Sequence, residues 1–277
     1  MQSSNPVLTR YEKNDKSGFA YAEGVNAYTQ AAAGGAGSAD VNTAFQQVTA
    51  AGGARLTMND VIVKCLAVFT VTVIFAVIGW NLVISMPWLM WVGLLGGLGL
   101  GLVNAFKKVP SPPLILLYAV FQGVFLGGIS NFYNTLALSN EYQGIVLQAV
   151  IATMTTFGVM LTLYLTGIIK VTKKFQSVMM VAVVSYLVLG LASFVAALFG
   201  VGGGWGFYGI DGIGLIICVF GVLIAAFFLL LDFEAISQGI KQGAPERESW
   251  RMAFGLLVTL IWLYLEFLRL LSILTRN

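Results

Sequence analysis

The chain holds 277 residues, 58% of them hydrophobic, 13% aromatic and only 10% charged, with a mean hydropathy of +0.87. An ordinary soluble domain is roughly 25% charged, and here the apolar residues come in runs of about 20 rather than in alternation, which excludes a soluble fold and an outer-membrane barrel alike. There is no histidine, which excludes histidine triads, histidine metal ligands and axial haem histidines, and Cys65 and Cys218 lie far apart inside apolar runs, so no thiol redox pair or zinc cage is expected. The net charge of +3 reads as an orientation signal, and no nucleic-acid partner is expected.

In chain order, residues 1–59 are polar and rich in small residues, and the Ala/Gly/Ser stretch Ala31–Asp40 reads as a flexible linker. Nothing near Met1 resembles a secretory leader. This segment is expected to be a flexible cytoplasmic tail, in which Val41–Ala50 is weighed as a surface helix and disorder is preferred.

Residues 60–277 are expected to form an all-α polytopic membrane domain. Seven stretches, at about 61–84, 88–106, 113–134, 144–169, 178–199, 213–238 and 250–274, are long enough to cross a hydrocarbon core of about 30 Å at 1.5 Å per residue. Pro87, the VPSPP stretch Val109–Pro113, the polar SNEYQG stretch and the glycine-rich run before the sixth helix separate them. Lys107 and Lys108 follow helix 2, Lys170, Lys173 and Lys174 follow helix 4, and Lys241, Arg247 and Arg251 flank the turn before helix 7. The connections after helices 1, 3 and 5 carry no lysine or arginine, so the positive-inside rule predicts a cytoplasmic N-terminus. Glu266 and Arg269 interrupt helix 7, which leaves open whether it spans or re-enters. Gly93, Gly97 and Gly101 on helix 2 and Gly123 and Gly127 on helix 3 predict close helix packing within the bundle.

Chemistry in such a chain comes from polar groups at depth, where a charge costs several kcal/mol unless paired or solvated. Asp60 and Lys64 start helix 1 and are interfacial. Asp211, in the loop before helix 6, reads as a solvated turn residue. Asp232 lies at intermediate depth in LLLDFEAI, where solvation beside Glu234 and a functional role weigh evenly. Glu266 is separated from Arg251 by fourteen intervening residues and from Arg276 by nine, deep in the last helix, with Arg269 at the third position after it as a local ion-pair partner. A carboxyl in apolar surroundings holds its proton to higher pH, and two together can share one near neutrality. Ionised, they offer the hard oxygens that suit calcium. Helices 6 and 7 are expected to be antiparallel neighbours, with Asp232 and Glu266 roughly 16 and 24 Å above the cytoplasmic boundary, a mismatch to be absorbed by tilt or a longer turn.

The seven-helix order, the LYLEFLRLLSIL ending, LLLDFEAI, and the Tyr118, Gln122, Gly123, Gly127 and Ser130 pattern resemble the Bax inhibitor-1-like family of transmembrane proteins, and the opening SSNPVLTR is similar to a bacterial branch of it. The resemblance implies a seven-helix bundle with its last helix at the centre, acting as a pH-sensitive calcium leak. It implies a carboxylate pair on helices 6 and 7 as pH sensor and ion pathway, matched here by Asp232 and by Glu266 in place of an aspartate. It also implies a latch from the cytoplasmic end of helix 2 onto Asp232, matched by Lys107 or Lys108, which lack the fork of an arginine. Protonation of the pair would release this latch. No catalytic residues and no resident cofactor are expected. The partners expected are the lipid bilayer, calcium ions and protons, with Asp232 and Glu266 as calcium ligands, in a bacterial cell membrane. Two other classes stay in view. One is an intramembrane aspartyl protease, disfavoured because no GxGD-type loop surrounds either acid. The stronger is a non-transporting regulator that binds another membrane protein, such as a protease or a respiratory complex.

Overall fold

The computed structural model describes residues 55–139, 141–210 and 212–275. The expectations for the tail up to residue 54 and for Asp211 lie outside the described residues. Arg55, Leu56 and Gly243–Glu246 belong to a small separate unit, in which the Leu56 N–H donates to the Ala244 carbonyl at 2.8 Å.

The main unit is a bundle of seven α-helices among the described residues, each long and apolar enough to cross a membrane: α1 (Met58–Ser85), α2 (Trp88–Phe106), α3 (Pro112–Leu138), α4 (Ile145–Leu165), α5 (Lys173–Leu198), α6 (Ile213–Lys241) and α7 (Glu248–Leu274). Local chemistry sets the ends. Thr57 and Asp60 form a capping box at the start of α1, each satisfying the other's backbone N–H. Pro112 and Pro113 open α3, where a missing N–H costs nothing. The sequence expectation ran helix 4 to residue 169 and began helix 5 at 178. Instead α4 stops at Leu165, before Gly167 with φ +68°, and the Thr172 hydroxyl caps α5 by accepting from the Phe175 N–H at 3.2 Å.

The glycine stripes pack inside the bundle. A Cβ on Gly93 of α2 would lie 2.8 Å from the Phe125 nitrogen of α3, and one on Gly123 of α3 would lie 2.6 Å from the Thr72 carbonyl oxygen of α1. Backbones thus approach to a distance that only glycine permits, with α3 sandwiched between α1 and α2.

α7 is one unbroken helix of 27 residues, about 40 Å long, so neither Glu266 nor Arg269 interrupts it. It packs against α1, α3, α4 and α6 and contributes to all three apolar core clusters, through Leu257 and Ile261, Leu256 and Leu263, and Leu268. The last helix is therefore the central one. α5 stands at the periphery, with Val181, Leu187 and Leu191 outward.

Candidate functional site

The seam between α6 and α7 carries both intramembrane acids. α6 presents Gly221 where Glu266 of α7 needs room: a Cβ there would lie 2.8 Å from the Glu266 carboxylate. α7 in turn presents Gly255 to Asp232 of α6, whose Oδ1 would lie 3.8 Å from a Cβ at that position. These two contacts fix the antiparallel register. Asp232 lies level with Gly255 and Glu266 with Gly221, so the two acids are separated by eleven residues of helix, a rise of about 16 Å. This corrects the expectation that they meet. A shared proton needs oxygens in hydrogen-bond contact and a shared calcium needs both within about 2.6 Å of one ion, and neither is met. Among the described residues no group of three or more acidic, cysteine or histidine side chains is assembled for a metal.

Glu266 is 3% exposed. Its Oε1 accepts from Trp262 Nε1–H at 3.2 Å and faces Arg269 Nη1 at 3.6 Å, so the expected local ion pair is present. Its Oε2 is buried without a hydrogen-bond partner. The Tyr186 hydroxyl of α5 enters the same space beside Gly221 and accepts from the Tyr208 hydroxyl at 3.1 Å. The Arg269 guanidinium lies 4.3 Å from the centre of the Tyr208 ring, a stacked cation–π contact. Tyr208 belongs to the two 3-10 turns, Val201–Gly204 and Gly206–Gly209, that connect α5 to α6. Burial pushes its hydroxyl above the usual tyrosine range, which keeps it a neutral donor. The turn is seated on α5 by the Phe207 N–H, which donates to Ser193 Oγ at 3.0 Å, and by Gly206 with φ +64°, which leaves no space for a Cβ against Ser193. One end of the seam is thus closed by an ion pair under an aromatic lid.

Asp232 has a different environment. Cys65 of α1 and Thr259 of α7 border it, but the Thr259 hydroxyl donates to the Gly255 carbonyl at 3.2 Å, and Asp232 Oδ2 is buried without a hydrogen-bond partner. Glu234, two residues on, is separately satisfied, accepting from Tyr164 at 2.8 Å and Gln238 at 2.7 Å. Among the described residues Asp232 and Glu234 therefore share no hydrogen-bond partner.

The Lys107 and Lys108 side chains are exposed, and among the described residues no ion pair joins them to Asp232. What holds this loop is Arg251, in the first turn of α7, whose Nη2 donates to the carbonyls of Lys107 at 3.2 Å and Lys108 at 2.5 Å while Nη1 pairs with Glu248 at 3.2 Å. Asn104 adds a bond from α2 to the Leu114 carbonyl at 3.2 Å. Sequence reasoning took Arg251 only as a flanking charge. Its five donors and its place one turn inside the central helix were the signals that mark it as a clasp.

Comparison with curated proteins gives no match to this chain. The profile of the family described as Bax inhibitor 1 like matches residues 5–276, nearly the whole length. With seven membrane-spanning helices around a central last helix and a match of that extent, this chain is an integral membrane protein that belongs to the Bax inhibitor 1 like family.

Proposed function

We propose that this protein is a pH-sensitive calcium leak whose path follows the α6–α7 seam. The observation that carries the proposal is the pair of intramembrane carboxylates, Asp232 and Glu266, each with one buried oxygen left without a hydrogen-bond partner. Such groups are expensive in a bilayer and mark ion or proton pathways. The separation along the seam supports a two-level arrangement rather than a single shared-proton centre, and it weighs against protease chemistry, which needs both acids on one peptide bond. In the closed form Glu266 is held by Arg269 beneath Tyr208 at one level, and Asp232 is bordered by Cys65, Gly255 and Thr259 at the other. Arg251, one turn before Gly255, keeps the α2–α3 loop against α7 near the Asp232 level. Protonation removes charge at each carboxylate, which supplies the difference between closed and open states that any switch needs.

The test is calcium entry into liposomes that hold the purified protein and an internal indicator, at about pH 6 and about pH 8. A flux that depends on pH is expected. Silence at both values, together with a co-purifying membrane protein, would replace the leak with the regulator.

A further inference from the structure

We infer that the groove between α1, α3, α4 and α7 is a binding site for one acyl chain of a phospholipid. The cavity encloses about 390 Å³, within the roughly 300–1,000 Å³ of small-molecule sites. It exists because α1 and α4 do not pack against each other, although both rest on α7. Along α1 it runs from Phe69 to Asn81, twelve residues or about 18 Å of rise. One leaflet of a hydrocarbon core about 30 Å thick has nearly that depth. Trp80, Asn81 and Val146 stand at one end, near the last turn of α1 and the first of α4, on the side opposite the lysine-bearing connections. The site therefore belongs to that leaflet.

The hydroxyl groups inside the groove are few and are bonded within the protein. Thr72 donates to the Val68 carbonyl at 2.9 Å and Thr153 to the Ala149 carbonyl at 2.7 Å, each within its own helix. Ser130 Oγ donates to the Leu126 carbonyl at 2.5 Å, which leaves the Tyr264 hydroxyl, 2.6 Å away, as donor to Ser130. Every hydroxyl hydrogen in the groove is spent within the protein, so the hydroxyls could only accept from a water, and most of the remaining lining is apolar. An empty space of this size would forfeit the dispersion contacts of its whole lining. Val73 and Val77 on α1 and Val150 and Met154 on α4 are exposed at its rim, so the groove is continuous with the lipid-facing surface. Asn81 at the mouth differs. One amide N–H donates to the Val77 carbonyl at 2.9 Å, and the second suits an ester or phosphate oxygen at the glycerol level.

The test uses the full-length protein in liposomes doped with a phospholipid that carries a photoactivatable diazirine in its acyl chain, followed by peptide mapping. Adducts on residues 73–77 and 150–154 are expected to exceed those on the outward α5 residues Val181 and Leu187 several-fold. Native mass spectrometry should find one phospholipid retained per wild-type chain, none on Val150→Trp, which fills the groove, and one on the control Leu187→Trp. Equal labelling of groove and α5 would overturn the proposal. The wild-type labelling decides the matter even if the filled variant does not fold.

Discussion

Glu266 and Arg269 form a pair in which one member is almost wholly buried while the other keeps a third of its side chain accessible. Removing one partner of a buried pair costs about 3–5 kcal/mol, and the exposure of Arg269 places this pair at the lower end. Arg269→Met is therefore expected to destabilise the protein by about 3 kcal/mol, and the double variant Glu266→Gln, Arg269→Met by less than the sum of the two single changes. Unfolding measurements in detergent or bicelles check this, and strict additivity would mean that the two side chains do not act as a pair. At the other level, Asp232→Asn keeps shape and removes charge. It is expected to raise the calcium flux at about pH 8 and to shrink the ratio of flux at about pH 6 to flux at about pH 8, leaving the part that Glu266 carries, and retention of the full wild-type ratio would remove Asp232 from the sensor. Both acids were legible as candidates from the sequence, because a carboxylate inside an apolar run is costly to keep in a bilayer and is rare outside ion and proton paths. Their separation was not. Depth counted separately from each helix end cannot supply the register, which is set by Gly221 and Gly255 making room on the facing helix.

At the scale of elements, the helices were readable because runs of about 20 apolar residues broken by proline, glycine and polar turns leave few alternatives. The glycine spacing announced close packing, but it could not say which neighbour each stripe meets. The structure assigns the α2 stripe to α3 and the Gly123 and Gly127 face of α3 to α1. Gly123→Val is accordingly expected to cost about 1–3 kcal/mol by forcing α1 and α3 apart. Gly99, with nothing within 4 Å of its Cβ position, should accept alanine with a change of under about 1 kcal/mol. Thermal unfolding of the two variants side by side measures the contrast. The Arg251 clasp was missed for a related reason: its acceptors are backbone carbonyls in a distant loop, and no residue pattern marks a carbonyl as an acceptor. Arg251→Ala is expected to speed amide hydrogen exchange in the α2–α3 connection around residues 107–111, while exchange in the buried middle of α7 stays slow.

At the scale of the whole molecule, one central helix touches four others and carries a carboxylate level with the lid, opposite a second helix that carries its carboxylate about 16 Å away along the seam. Family membership agrees with that architecture. It does not by itself dictate whether the two acids act together, and the register of α6 on α7 says that in this chain they are separate. Groups more than about 10 Å apart with no shared partner have effects that add to within about 0.5 kcal/mol. The most direct measurement is a double-substitution cycle on calcium flux in liposomes at about pH 8, comparing wild type, Asp232→Asn, Glu266→Gln and the double variant. Two independent levels predict that the single fold-changes in flux multiply in the double variant to within about twofold. A double variant no different from either single one would mean that the two carboxylates act as one coupled centre, and would contradict the two-level seam.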